Sequence, residues 1–157
     1  MTDLRIAPEP VDSAHARALL DRYYEELGAR FPAGPEAFEL ANIAAPTTDF
    51  APPGGMFLLA WLDGRAAGCG GVRTLDAKRA EIKRMWVDPA ARGLGIGRGL
   101  LGALESAAAE LGCRGVRLDT AAYLSEALAL YVSAGYRAIP AYNDNPYAAH
   151  WLEKRLR

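Results

Sequence analysis

The segment at residues 92–97, with the sequence RGLGIG, is the clearest candidate for chemistry in this chain. It follows a run at residues 81–87 that is typical of a β-strand, which Asp88-Pro89 ends because proline has no backbone donor. Apolar residues at helical spacing begin directly after it. Glycines let a phosphate approach the backbone closely, and the unpaired N–H groups at a helix start attract anions. The order of strand, loop and helix therefore predicts an anion-binding site.

Residues 97–102 form a second glycine pattern, GRGLLG, which matches the dinucleotide-binding fingerprint GxGxxG. Asp119 lies near the position where such a site needs an acid for the ribose. The fingerprint must follow its strand immediately, whereas nine residues separate Val87 from Gly97. A nicotinamide-dependent oxidoreductase would also need a second βαβ half, for which there is no room after Asp119. The spacing therefore disfavours a dinucleotide site.

The pattern Arg92-x-x-Gly95-x-Gly97 favours another ligand. It resembles the pyrophosphate loop of the GCN5-related N-acetyltransferases, where Gln or Arg is followed by two residues, Gly, one residue, and Gly or Ala. The downstream segment 130–136, LYVSAGY, resembles the LYxxxGF/Y segment of the same family. The preceding strand looks like the family's fourth strand. The resemblance is specific over residues 81–136 and looser elsewhere.

This resemblance implies acetyl-CoA as the co-substrate and no metal. The pyrophosphate would lie on the N–H groups of residues 93–98, and Arg92 and Arg98 would add positive charge. Backbone groups of Met85 and Val87 would pair with the pantetheine arm, and the Val87 N–H would donate to the thioester carbonyl. The expected coenzyme-binding residues are Met85, Trp86, Val87, Arg92, Gly93, Leu94, Gly95, Ile96, Gly97 and Arg98. Many family members hold the coenzyme with an asparagine near this position. This chain has Leu124 there, so the resemblance does not imply that contact.

Acyl transfer to an amine needs two proton movements, because an alkylamine has a pKa of about 10 and the departing thiol one of about 8.5. Tyr131 stands where the family places its general acid. It also shares helical spacing with Leu128 and Ala134, so a core aromatic is the alternative interpretation. The motif position favours the acid.

Glu81 is the best general-base candidate, because several family members carry a catalytic glutamate at this strand position, acting through a water. The equally weighted alternative is an exposed acid that pairs with Lys83 on the same strand face. Weaker base candidates are Asp119, Tyr123 and Asp144. His15 and His150 have no motif context and are expected to be structural or exposed.

The composition describes an ordinary globular protein of one domain, residues 1–157. A formal net charge of −1 implies no general affinity for nucleic acid or anionic membranes. Cys69 and Cys113 lack metal-site spacing and are expected to be buried thiols in a reducing cytosol. The charged, proline-containing start lacks the apolar core of a signal peptide, so we expect a cytoplasmic protein.

The remaining pattern predicts a mixed α/β fold, in which a twisted sheet of six to seven strands has helices on both faces. Strands are expected at residues 4–7, 56–62, 66–74, 81–87, 116–118, 136–139 and 150–156. Helices should start after Asp12 or Ser13, after the glycine-rich loop, and near Thr120 or Ser125, and end at Gly28, Gly112 and Gly135. A short helix is also expected over residues 36–42.

We therefore expect an acetyl-CoA-dependent N-acetyltransferase that works by direct attack of a primary amine, with a small-molecule acceptor. A coenzyme-A-binding module without catalysis is the alternative. Residues 31–55 form much of the acceptor pocket in the family, but their charges single out no acceptor, so a peptide or protein amine stays open. Residues 141–147 are rich in hydrogen-bonding side chains and are expected to line the acceptor site or to form a plain turn. The protein is expected to be a monomer or a homodimer.

Overall fold

The computed structural model describes residues 2–36 and 47–157, and in them a seven-stranded mixed sheet confirms the predicted fold. The strands pair in the order β1-β2-β3-β4-β5-β7-β6. Their bounds are Leu4–Pro8 (β1), Gly55–Leu62 (β2), Arg65–Thr74 (β3), Arg79–Val87 (β4), Gly115–Thr120 (β5), Arg137–Ala138 (β6) and His150–Arg155 (β7). The helix expected over 36–42 lies, beyond Glu36, outside the described residues. No helix among the described residues has the length and apolar character needed to cross a bilayer.

Within residues 2–36 and 47–157, three α-helices flank the sheet: α1 (Ala14–Arg30), α2 (Ile96–Glu110) and α3 (Ser125–Ser133). The Ser13 hydroxyl caps α1 by accepting from the Ala16 N–H at 3.0 Å. Helix α1 continues two residues past its predicted end at Gly28. The glycines predicted to stop the other two helices, Gly112 and Gly135, have left-handed φ angles of +88° and +100°.

Two hydrophobic cores lie on opposite faces of the sheet, as helices on both faces require. On β2, Leu58 and Ala60 pack into the core of α2, whereas Phe57 and Leu59 pack into the core of α1. This alternation follows from the two-residue period of a strand. It explains why the β2 sequence is an almost continuous apolar run.

Strands β1 to β4 form an antiparallel meander, and β7 is an antiparallel partner of β5 that lies between β5 and the edge strand β6. The strand expected at 136–139 is shorter, because β6 covers only Arg137–Ala138. Tyr136 instead turns into the core, where its hydroxyl donates to Glu105 at 2.9 Å. The backbone N–H of Ile139 still donates to Trp151 of β7, at 2.9 Å.

Strands β4 and β5 run parallel but pair only from Arg79–Gly115 to Glu81–Arg117. Just beyond this pairing β4 contains a bulge, because Cys69 pairs with Trp86 but Gly71 pairs with Lys83. Arg84, within the bulge, has a left-handed φ of +58°. The extra residue bends the strand and increases its twist. The sheet therefore opens between the second half of β4 and the end of β5.

The bulge lies opposite closely packed glycines of β3. A Cβ added to Gly71 would lie 2.6 Å from the ring of Phe50, which is fully buried. A Cβ added to Gly70 would lie 2.7 Å from Leu104 of α2. Both faces of β3 thus need a residue without a side chain at this point.

Replacing Gly71 by alanine should lower the free energy of unfolding by about 1–3 kcal/mol, the usual cost of overpacking a core. Gly102→Ala is the matched control, because Gly102 is exposed in α2 with no atom within 4 Å of an added Cβ. That variant should raise stability by roughly 0.5–1 kcal/mol through helix propensity. Urea denaturation measures both, and equal effects would contradict the close packing of Gly71.

Candidate active site

Two adjoining cavities lie where β4 and β5 part. The larger has a volume of about 440 Å³ and is lined by five tyrosines: Tyr23, Tyr24, Tyr123, Tyr131 and Tyr147. The smaller, of about 290 Å³, is lined by the glycine-rich loop and the end of β4. We call them the tyrosine-lined cavity and the glycine-loop cavity. Tyr131, Met85 and Leu124 contribute to the walls of both cavities.

The glycine-rich loop presents unpaired N–H groups at the start of α2. Gly93 and Gly95 have left-handed φ angles of +84° and +83°, which glycine adopts without strain. The first backbone hydrogen bond of the helix runs from the Gly99 N–H to the Gly95 carbonyl, at 3.0 Å. The N–H groups before it therefore have no partner within the helix, and no side chain caps them. This is the arrangement that binds phosphate.

The end of β4 directs backbone groups into the opening. The Asp88 N–H donates to Ala67 of β3 at 2.8 Å, so by the alternation of a strand the N–H groups of Met85 and Val87 point away from β3. Both residues, with Trp86, line the glycine-loop cavity. The β4–β5 pairing ends at Glu81, so these N–H groups face the opening between the strands.

The two arginines predicted to add charge to the loop occupy different surroundings. Arg92 lines the glycine-loop cavity, where its Nη2 donates to both carboxylate oxygens of Glu26, at 2.7 and 3.0 Å. Its Nε donates to the Val87 carbonyl at 3.0 Å. Arg98 instead donates to the Ser133 hydroxyl at 2.7 Å and is not part of either cavity wall. The Leu94 side chain is 57% exposed and also lies outside both walls.

A chain of alternating charges crosses the glycine-loop cavity from one wall to the other. It runs from Arg92 to Glu26, then to Arg30 at 3.5 Å, and on to Glu126 at the start of α3. Arg30 also donates to the Tyr123 carbonyl at 2.6 Å. We did not predict this chain from the sequence. Its one local signal is the i,i+4 spacing of Glu26 and Arg30 on α1.

Tyr131 lies where the two cavities meet and is only 7% exposed. Burial, helped by the negative charge of Asp119, raises the pKa of its phenol well above the ordinary value. The hydroxyl is therefore protonated at neutral pH and can act as a donor. No other residue in the described parts of the chain hydrogen-bonds to it. Its ring also packs edge-on against Tyr136, so the residue belongs to the core as well as to the cavity walls.

Glu81 is almost fully buried, at 1% exposure, so the alternative of an exposed acid is wrong. Its Oε1 accepts from Nε and Nη2 of Arg73, at 3.0 and 2.9 Å. Its Oε2 accepts from the Tyr142 hydroxyl at 2.7 Å, while Lys83 Nζ lies 3.8 Å away. The side chain is not among those that line the tyrosine-lined cavity. Glu81 is thus held directly behind the cavity wall.

The weaker base candidates from the sequence all line the tyrosine-lined cavity. Asp119 lies at the end of β5 and accepts from Asn143 at 2.7 Å and Asn145 at 3.1 Å. These contacts make residues 143–147 a wall of the cavity. The two histidines lie away from both cavity walls: His15 is exposed and packs edge-on against Trp61, and His150 begins β7. Cys69 and Cys113 are free and buried, as expected.

The chain matches the family model described as the acetyltransferase (GNAT) family over residues 16–136. A relative from Azospirillum brasilense, named IAA acetyltransferase, is 35% identical over 140 residues, covering 87% of this chain and 86% of the relative. A GNAT family acetyltransferase from Staphylococcus aureus has a similar structure, with a TM-score of 0.76 at 21% identity, covering 99% of this chain and 100% of that chain. A GNAT family acetyltransferase from Elizabethkingia anophelis with acetyl-CoA bound has a TM-score of 0.66 at 19% identity, over 98% of each chain.

The chain therefore belongs to the GNAT acetyltransferase family, which confirms the resemblance in its sequence. It is an acyltransferase of a family whose members acetylate with acetyl-CoA. The left-handed glycines and unpaired N–H groups of residues 93–98 fit a pyrophosphate, and the opening between β4 and β5 fits an extended pantetheine arm beside Met85 and Val87.

Gly95→Asp should abolish coenzyme binding, because it places a negative charge beside the N–H groups that would hold the pyrophosphate. Gly95→Ala is the control, since it shares the cost of a left-handed φ without adding charge. Titration calorimetry with CoA should therefore detect binding to the alanine variant and none to the aspartate variant. Tight binding by the aspartate variant would refute this role of the loop.

Arg30 lowers the pKa of the Glu126 carboxyl to about 2. Because this folded-state pKa lies below the unfolded value of about 4.3, the pair stabilises the fold above pH 4.3, and that contribution is lost as the pH falls toward 2. Arg30→Gln should return the Glu126 pKa toward its ordinary value, as measured by carboxyl NMR titration. Arg98→Gln, which removes a charge that contacts Ser133, should leave it unchanged. An ordinary Glu126 pKa in the unaltered protein would contradict the ion pair.

Proposed function

We propose that the protein transfers the acetyl group of acetyl-CoA to a small primary amine by direct attack, without an acetylated enzyme intermediate. The coenzyme would bind in the glycine-loop cavity and the amine in the tyrosine-lined cavity. The observation that carries this proposal is the position of Tyr131 in the walls of both cavities. The reacting atoms of the two substrates would therefore meet beside its hydroxyl.

The coenzyme side of the proposal rests on backbone groups. The N–H groups of residues 93–98, with Arg92, would hold the pyrophosphate. The N–H groups of Met85 and Val87 would pair with the pantetheine arm, and that of Val87 would stabilise the negative charge that develops on the thioester oxygen. Arg92 would have to share its contact with Glu26, which lies at the same cavity wall.

The amine loses two protons in total during the transfer. One leaves the ammonium group before attack, and the other leaves the nitrogen once the C–N bond has formed and the C–S bond breaks. We propose that Tyr131 gives its proton to the departing thiolate. The second proton of the amine nitrogen then re-protonates Tyr131. The first proton goes to solvent through a base. Glu81 is our proposed base, and because Arg73 and Tyr142 hold its carboxylate, it would act through a water.

Tyr131→Phe should lower kcat by about 10²-fold or more, the usual contribution of a general acid, and leave the Kd of CoA nearly unchanged. The matched control is Tyr136→Phe, which removes the neighbouring hydroxyl that contacts Glu105 away from the cavities. Thiol release measures turnover across a panel of primary amines, and calorimetry measures the Kd. Unchanged turnover in Tyr131→Phe would exclude the acid role, and an acetylated enzyme on the reaction path would exclude direct attack.

A further inference from the structure

Four consecutive residues of β4 line the tyrosine-lined cavity: Ile82, Lys83, Arg84 and Met85. In a regular strand, neighbouring side chains point to opposite faces of the sheet. The bulge and the left-handed φ of Arg84 remove this alternation. As a result, two adjacent positive charges reach the same cavity.

Lys83 forms a long ion pair with Asp119 and lies near the carboxylate of Glu81. Its side chain is 20% exposed, and its Nζ lies 3.3 and 3.5 Å from the two oxygens of Asp119 and 3.8 Å from Glu81. Hydrogen bonds from an ammonium to a carboxylate are normally about 2.7–2.9 Å long. Because an ammonium has three donors, the Lys83 group can donate to a further anion in addition to Asp119.

The nearby carboxylates have stronger partners than Lys83. Asn143 donates to Asp119 at 2.7 Å, and Arg73 donates to Glu81 at 2.9 Å. The other acid that lines the cavity, Asp144, is exposed to solvent. The carboxylates of Asp119 and Glu81 therefore both have donors other than Lys83.

Arg84 adds a second positive charge on the same wall. The residue is 6% exposed, and its guanidinium lies 4.8 Å from the centre of the Phe50 ring and 6.0 Å from that of Tyr24. Arg84 is therefore a second cationic residue among those that line the cavity.

We propose that the acceptor amine also carries a carboxylate, and that Lys83 binds this carboxylate. The inference rests on the acetyl transfer proposed above and adds the class of substrate. A carboxylate at Lys83 would hold the acceptor at the β4 wall, and its amino group would extend toward Tyr131. The tyrosine rings would contact the apolar body of the molecule. An amino acid has this combination of groups.

The test uses amino acids paired with amines that lack only the carboxylate, such as L-phenylalanine with phenethylamine and L-leucine with 3-methylbutylamine. We expect kcat/KM, from thiol release, to be at least about tenfold higher for the preferred amino acid than for its amine, as one charge-assisted hydrogen bond implies. Lys83→Gln should lower the ratio of kcat/KM for the amino acid to that for its amine by about tenfold, and Lys83→Arg should restore part of this ratio. Lys78→Gln, an exposed lysine of the β3–β4 turn, should keep the preference.

Calorimetry of the same ligands on the enzyme–CoA complex separates this inference from the proposed reaction. Tighter binding of amino acids than of their paired amines, lost in Lys83→Gln, supports the inference even if no thiol is released. Thiol release with amines but not with amino acids would keep the proposed reaction and overturn the inference. A carboxylate preference that survives in Lys83→Gln, or no binding of any amino acid in the panel, would also overturn it.

Discussion

The site depends on the parting of β4 from β5 after Glu81. If the two parallel strands stayed paired to their ends, the N–H groups of Met85 and Val87 would form hydrogen bonds with β5. The sheet would then have no opening. The bulge at Arg84 bends β4 at the point where the pairing ends. The cost is a non-glycine residue in the left-handed region, and such strain is retained where function needs it.

The two cavities lie at this opening, and different groups line each of them. On one side, a glycine-rich loop and a helix start supply unpaired N–H groups, and Arg92 adds a charged side chain that pairs with Glu26. On the other side, charged residues of β3, β4 and β5 are arranged in layers, with Glu81 buried behind Lys83 and Asp119. Tyr131 is one of the residues that line both cavities, and its burial keeps it a hydrogen-bond donor.

Sequence reasoning worked where the signal was local. The strand at β2 and the order of strand, loop and helix each depend on neighbouring residues, and each formed as predicted. The bulge at Arg84 was missed, because KRMW contains no glycine or proline to mark it. The pairing of Arg92 with Glu26 joins residues 66 positions apart, and the burial of Glu81 depends on Arg73 and Tyr142. Such contacts depend on the assembled sheet and have no signature in a single sequence.

Helix α1 contributes to both cavities at once. Its Tyr23 and Tyr24 line the tyrosine-lined cavity, and its Glu26 and Arg30 begin the ionic contacts to the glycine-rich loop and to α3. A coenzyme phosphate that competes with Glu26 for Arg92 would loosen one of the bonds that hold this helix in place. Any change in its position would reshape the pocket of the second substrate, and thermodynamic linkage makes such an effect reciprocal. The affinities for the two substrates would then be coupled through the attachment of one helix.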